Sequence, residues 1–149
     1  VAAAEADSEG LRAWRAFLEA HASVTRTLDR ELQEERGLPL TWYDALVQLE
    51  EAGGELRMFT LAERLLLSRS ATTRFADRLE GAGLIERRRC DGDRRGTEVS
   101  LTAAGRAALH DAAPVHLRGI EEHFSRHLDP AERRLLAAAL GRVASVERG

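Results

Sequence analysis

The 149-residue sequence contains no lysine, one cysteine, three prolines, one methionine and 5% aromatic residues. With Cys90 as the lone thiol, an intrachain disulfide and a cysteine-rich zinc finger are both excluded, and the composition fits a reducing, cytoplasmic setting. No apolar run approaches the roughly 20 residues that a membrane helix needs. The opening Val1-Ala2-Ala3-Ala4-Glu5-Ala6 has neither a basic leader nor a long hydrophobic stretch, so no membrane or export segment is expected. There is no internal repeat, low-complexity linker or glycine-rich phosphate loop, and no Ser/His/Asp order, paired-carboxylate pattern or Cys–His pair stands out. An enzyme is therefore not expected, nor is a cofactor. The all-arginine choice of basic residues, together with the abundance of alanine, reads as a coding bias.

What is present is enough for one domain, with 44% of residues in the hydrophobic set to supply a core. The net charge of −3 conceals an uneven distribution. Residues 1–56 carry 5 Arg against 12 acids, residues 57–95 carry 10 against 6, and residues 96–149 carry 7 against 7. A basic segment set between an acidic and a neutral one points to local contact with a polyanion.

Residues 1–10 are small, polar and acidic, and a flexible N-terminus is expected there. Leu11, Trp14, Leu18, His21, Thr25, Leu28 and Leu32 then recur at helical spacing, predicting one helix over 11–36 that stops at Gly37. Its length of nearly 40 Å exceeds what one small domain needs, so part of its stripe is expected to meet another subunit. A second helix is predicted from Thr41, capped by Thr41 with Asp44, burying Trp42, Ala45, Leu46 and Leu49. Thr60 and Glu63 suggest the cap of a third helix carrying Leu61, Leu65 and Leu66. A turn at Leu67-Ser68 leads to a fourth helix ending at Gly81 or Gly83, giving a helix-turn-helix. Leu84–Arg88 and Thr97–Leu101 read as strands around a basic, turn-rich tip. Thr102 caps a fifth helix, expected to kink near Pro114 and to resume through Leu128. Asp129-Pro130 with Glu132 opens a sixth that buries Leu136, Leu140 and Val143.

On a helical wheel the fourth helix places Ala71, Phe75, Leu79 and Ala82 on one face, with Arg69, Ser70, Thr73, Arg74 and Asp77 broadly opposite. A solvated amphipathic helix is one reading of that face. The other is a helix entering a DNA major groove, where hydroxyls reach phosphates and arginine reads guanine edges. Arg87, Arg88, Arg89, Arg94 and Arg95 on the adjacent ribbon favour the second, although Glu86, Asp91 and Asp93 offer local neutralisation and Asp93 is placed to orient Arg95.

The stretch Asp93-Arg94-Arg95-Gly96-Thr97-Glu98-Val99-Ser100-Leu101-Thr102-Ala103-Ala104-Gly105 resembles the wing of the MarR (multiple antibiotic resistance regulator) family of bacterial winged-helix transcription factors, with its Asp-x-Arg and Leu-Thr-x-x-Gly. Leu61–Leu65, Ser70–Arg74 and Leu79–Ile85 follow the same family in the same order. The resemblance implies a mainly α fold with a small β wing: a winged helix-turn-helix lobe over 40–105 and dimerisation helices at 11–36 and 106–149, together one domain over 11–149. It also implies a homodimeric, sequence-specific DNA-binding transcriptional regulator that acts as a repressor on a pseudo-palindromic double-stranded operator. By this resemblance Ser68, Arg69, Ser70, Thr72, Thr73 and Arg74 are recognition-helix contacts, Arg94 and Arg95 are wing contacts, and Asp93 supports the wing. Thr72 sits toward the buried flank on an ideal wheel, where the two readings disagree.

The family also implies release by a small phenolic or aromatic carboxylate effector. Trp14, Arg15, His21, Trp42 and Tyr43 form a candidate set, an aromatic wall with a cation and an imidazole, against the reading that the aromatics are core and Arg15 is solvated. Other triggers are a metal at His123 and His127 near Glu122, and oxidation of Cys90 beside Arg87–Arg89. His116 lies about 16 Å from His127 along a straight helix, too far to share one ion. No metal site is expected. A winged helix used only for protein contacts is the alternative of a different class; it would lack the steep salt dependence of DNA binding.

Overall fold

The computed structural model describes residues 8–90 and 96–147, so Asp91, Gly92, Asp93, Arg94 and Arg95, together with residues 1–7, lie outside the described residues. The chain divides into two compact units, one spanning Asp29–Val115 and one made of residues up to Leu28 and from His116 onward. The elements in order are α1 (Ser8–Arg36), α2 (Leu40–Glu51), β1 (Glu55–Arg57), α3 (Met58–Arg64), α4 (Arg69–Gly81), β2 (Ile85–Arg89), β3 (Thr97–Leu101), α5 (Ala103–His123), a single 3-10 turn (Ser125–His127) and α6 (Pro130–Glu147). This is the mainly α fold with a β wing that the sequence predicts. Residues 8–10, expected to be loose, are already helical.

The core of the 29–115 unit is aliphatic. Leu32, Leu46, Leu49, Leu61, Leu79, Ile85, Val99 and Val115 are all below 2% exposure and come from every long element of the unit. Helix α2 starts one residue earlier than predicted and is not capped by Thr41: Pro39 occupies the N-cap with no side-chain bond, and the Leu40 N–H donates to Asp29 Oδ1 of α1 at 2.9 Å. Tyr43, rather than Trp42, joins Ala45, Leu46 and Leu49 in the core, and Trp42 is half-buried. Helix α3 likewise begins at Met58 with Arg57 as an uncapped N-cap, so Thr60 does not start it.

The turn after α3 corrects a further expectation. Leu66 is 92% exposed and adopts a left-handed φ of 55°. The Leu66 N–H donates to the Glu63 carbonyl at 3.2 Å and the Leu67 N–H to the Ala62 carbonyl at 3.0 Å. That pair of bonds is the Schellman closure, which requires the left-handed residue at this position and turns its side chain out of the core.

Three strands, not two, make the sheet, in the order β1-β3-β2 with both pairings antiparallel. Leu56 pairs with Val99, and Arg87 pairs with Val99 from the other side. The extra strand β1 follows Gly53 and Gly54, both at positive φ, and the Gly54 carbonyl accepts from the Leu101 N–H at 2.8 Å. Thr102 caps α5 as predicted, its Oγ1 accepting from the Gly105 N–H at 2.9 Å. The helix runs through Pro114 without interruption and ends at His123, short of Leu128.

In the second unit, α6 opens with a reciprocal capping box. The Asp129 N–H donates to Glu132 Oε2 at 2.8 Å and the Glu132 N–H donates to Asp129 Oδ1 at 2.9 Å. Arg133 Nε donates to the carbonyls of Ser125 and Leu128, both at 3.0 Å, fastening the preceding turn. The apolar positions of α6 are not buried in the single chain: Leu140 is 39% and Val143 63% exposed, and Leu136 is half-buried. Leu11, Trp14, Phe17 and Leu18 of α1 are similarly exposed. Among the described residues, no helix is long and apolar enough to cross a membrane.

Candidate nucleic-acid interface

Helix α4 is fixed from below by Thr72, Ala76 and Leu79, all buried. Its start is set by Ser68, in extended geometry, whose Oγ accepts from the Ala71 N–H at 3.2 Å. The opposite side of its first two turns presents Arg69, Ser70, Thr73 and Arg74, all exposed. No acid lies in the first turn, so the positive end of the helix dipole adds to these arginines rather than being offset by a carboxylate.

The polar groups are not equally available. Thr72 is 1% exposed and donates its hydroxyl to the Ser68 carbonyl at 2.7 Å. The helix phase that buries Ala76 and Leu79 also buries Thr72, which removes it from the outward set that the family resemblance suggests. Thr73 donates to the Arg69 carbonyl at 3.0 Å but stays at the surface. The Arg69 guanidinium lies 5.8 Å from the centroid of the Phe59 ring, a cation–π contact that sets the direction of the side chain. Arg74 has no ion pair with any described residue.

Beside α4, the β2–β3 ribbon projects as a wing, its pairing extended toward the tip by the Cys90 N–H donating to the Gly96 carbonyl at 3.0 Å. Its arginines divide into different roles. Arg88 bonds its cross-strand partner Glu98 at 2.8 Å, and that hydrogen bond is the main cause of its raised pKa. Arg87 is held by Asp77 and Glu80 of α4 at 2.6 and 3.0 Å. Among the described residues, Asp77, Glu80 and Glu98 are the acids that pair with ribbon arginines. The wing-tip candidates Asp93, Arg94 and Arg95 lie outside the described residues.

Between the start of α3, helix α4 and the start of β3 lies a concavity of about 480 Å³, lined in part by Arg57, Phe59, Arg69, Thr73, Gly96 and Thr97. Arg57 and Phe59 were not singled out from the sequence. Their signal was faint: a basic residue and an aromatic at the entry to the first helix of a helix-turn-helix, where that helix crosses a DNA backbone.

The remaining candidates fall in different places. Trp14 is 56% exposed and stacks loosely along α1, with ring centroids 5.9 Å from Trp14 to Phe17 and 6.1 Å from Phe17 to His21. Arg15 and His21 are exposed. Tyr43 is buried, and burial, followed by the Asp44 and Glu50 carboxylates, raises its pKa. His123 ends α5, whereas His127 lies in the 3-10 turn with Nε2 3.1 Å from the Glu122 carbonyl, so the two histidines do not share the single helical face expected of them. Cys90 is a half-buried free thiol.

Comparison with known proteins places this arrangement in company. The MarR family model matches residues 36–96. The chain is 30% identical to the HTH-type transcriptional regulator PecS of Dickeya dadantii over 80% of its own length and 72% of that protein. Among solved structures, AbsC, a MarR family transcriptional regulator from Streptomyces coelicolor, superposes with a TM-score of 0.84 at 35% identity, covering 93% of this chain and 94% of AbsC. Sco3205, a MarR family transcriptional regulator from the same organism solved in complex with DNA, gives a TM-score of 0.84 at 33% identity, with 92% of this chain and 90% of Sco3205 covered.

Proposed function

Because this chain belongs to the MarR family of transcriptional regulators, we propose that it binds a pseudo-palindromic operator as a homodimer and represses transcription until a small aromatic acid releases it. The observation that carries the DNA-binding part is the exposed, carboxylate-free first two turns of α4, with Arg69, Ser70, Thr73 and Arg74 facing outward above a buried Thr72, Ala76 and Leu79. Ser68 caps that helix and offers its remaining hydroxyl capacity to phosphate. Arg94 and Arg95 of the wing tip reach the minor groove or backbone, with Asp93 supporting them. In this reading residues 40–105 form the DNA-binding lobe.

Homodimerisation accounts for the apolar side chains that the single chain leaves in water. Leu135, Leu140, Val143 and Val146 on α6 and Leu11, Trp14 and Leu18 on α1 range from 39 to 76% exposed. A second copy supplies the same two stripes, and a symmetric interface can be built from 11–36 and 106–149 of each protomer. Two lobes then meet half-sites about one helical turn, 10–10.5 bp, apart or a multiple of it.

The effector reading comes from the family resemblance; of its candidates, Trp14, Arg15 and His21 on α1 are exposed, and offer stacking, a cation and an imidazole to an aromatic carboxylate, whereas Tyr43 is a core residue. Such a ligand acts only through different affinities for DNA-competent and incompetent states.

The test is binding of the whole chain to a duplex it selects from a random library, against an unselected duplex, over a range of salt, with and without a panel of aromatic carboxylates. Selective binding that falls steeply with salt supports the regulator reading, and relief by one compound supports the effector. Equal affinity for both duplexes would refute operator recognition, and a monomer by sedimentation would refute the dimer.

A further inference from the structure

Helix α4 and strand β2 are joined by one guanidinium. Arg87 Nη2 donates to Asp77 Oδ1 at 2.6 Å and to Glu80 Oε1 at 3.0 Å, while the Arg87 backbone N–H donates to Glu80 Oε2 at 2.9 Å. Asp77 and Glu80 are three residues apart and therefore share a face of α4. The Arg87 side chain is 22% exposed, against 73% for its neighbour Arg88. One cation held by two carboxylates leaves the group at a net charge of −1. Such a group repels a phosphate, whereas a free arginine would attract one.

We propose that Arg87 is a positioning residue that fixes the wing against the recognition helix, and that it makes no contact with the DNA backbone. The proposal rests on the DNA-binding reading above. Its geometric basis is redundancy: two side-chain bonds and one main-chain bond all converge on the same two acidic residues, and each is charge-assisted and therefore short and directional. Both side-chain bonds come from the one nitrogen Nη2, held in the guanidinium plane, while the Arg87 backbone amide donates to the other oxygen of Glu80. A lysine, as a point charge on a flexible stem, keeps the charge but loses the planar geometry. The lowered pKa of Glu80 and the raised pKa of Arg87 follow from the same hydrogen bonds. Wing and helix contact DNA at different places, so their relative setting selects one DNA shape over others. A loosened wing lowers preference for the operator more than it lowers general attraction to DNA.

The experiment uses the whole chain and the duplex selected by the wild type, with an unselected duplex alongside. In the Asp77→Asn/Glu80→Gln double variant two negative charges leave the DNA-facing lobe, so affinity for the unselected duplex rises. Loss of the clamp nonetheless lowers the preference for the selected duplex by on the order of tenfold, within the usual range of coupling between two elements. Arg87→Lys is expected to lose preference similarly with an unchanged salt slope. In the free protein, amide exchange at Arg87 and along β2 is expected to quicken in both variants.

A double variant that tightens on both duplexes equally would show that the clamp does not set the preference, and an Arg87→Gln variant whose salt slope drops by about 0.9 would show a direct phosphate contact; either overturns the proposal. Unchanged amide exchange in both variants would overturn it as well, whatever the DNA results. A wild type with no preference for its selected duplex is a separate outcome, and sinks the DNA-binding reading itself.

Discussion

Gly105 lies in the first turn of α5, where nothing in its helical conformation requires glycine; the requirement comes from a neighbour. A Cβ built there falls 2.0 Å from the Leu84 carbonyl oxygen and 2.9 Å from Leu101 Cδ1. The obstructing atom is backbone, and it already accepts from the Thr102 N–H at 3.2 Å, so it cannot rotate aside as a side-chain tip would. Relief requires α5 to move by more than an ångström from the link between α4 and β2. Overpacking of this kind costs about 3 kcal/mol, the upper end of the usual range. Replacing a helical glycine by alanine returns about 1 kcal/mol of helix propensity. Gly105→Ala is thus expected to destabilise by about 2 kcal/mol, which for a chain of this size lowers Tm by about 4–8 °C. The assay is thermal unfolding by circular dichroism at fixed protein concentration, with Gly81→Ala as the matched control. A Cβ at Gly81 meets no atom within 4 Å, so that variant should melt at or slightly above the wild type. A Gly105→Ala protein that melts as high as the wild type, or a Gly81→Ala protein that falls equally far, would refute the steric argument.

Four other outcomes follow from the same geometry. Arg74→Ala should weaken binding to a selected duplex by about 1–3 kcal/mol and lower the preference over random DNA; equal losses on both duplexes would show that Arg74 only holds phosphate. Thr72→Val should cost about 1 kcal/mol of stability through the lost bond to the Ser68 carbonyl, with operator preference intact, and a loss of preference at unchanged stability would put Thr72 back among the contacts. Glu80 is held below its ordinary pKa of 4.5, first by the hydrogen bond from the Arg87 side chain. Its contribution to stability is therefore complete above pH 4.5 and is lost as pH falls through the lower folded value, so acid limbs of wild type and Glu80→Gln that superimpose would contradict it. Asp129→Ala should cost about 1 kcal/mol in urea unfolding by removing the side-chain half of the α6 capping box, and an unchanged midpoint would count against it.

The parts of the fold that were legible in the sequence are those decided by neighbours in the chain. Asp129 with Glu132 is a local reciprocal pair and Gly105 to Thr102 a local one-way cap, and both form where the spacing places them. The parts that were not legible depend on distant residues. Thr41 has the chemistry of a cap, but Asp29 from another helix serves the α2 terminus, which starts one residue earlier than the local pattern suggests. Strand β1 has three residues, too few to display alternation, and exists because β3 offers it an edge. In the candidate interface, the outward set on α4 follows from periodicity, and so does the suspicion over Thr72. The pairing of Arg87 does not, since Asp77 and Glu80 meet it only once the helix and strand have folded against each other. A run of consecutive arginines therefore exaggerates the basic surface.

The Asp29 bond to the Leu40 amide bears on how regulators of this type can be recombined. Residues 29–36 of α1 belong to the same compact unit as the helix-turn-helix and the three-stranded sheet, and Leu32, on that stretch, is fully buried. A transplanted helix-turn-helix lobe cut at the loop near Gly37 would leave behind its own cap and part of its own core. The workable seams fall inside helices, between Leu28 and Asp29 in α1 and between Val115 and His116 in α5. A chimera joined there must keep helical phase across two splices, because each residue gained or lost turns everything beyond it by about 100°.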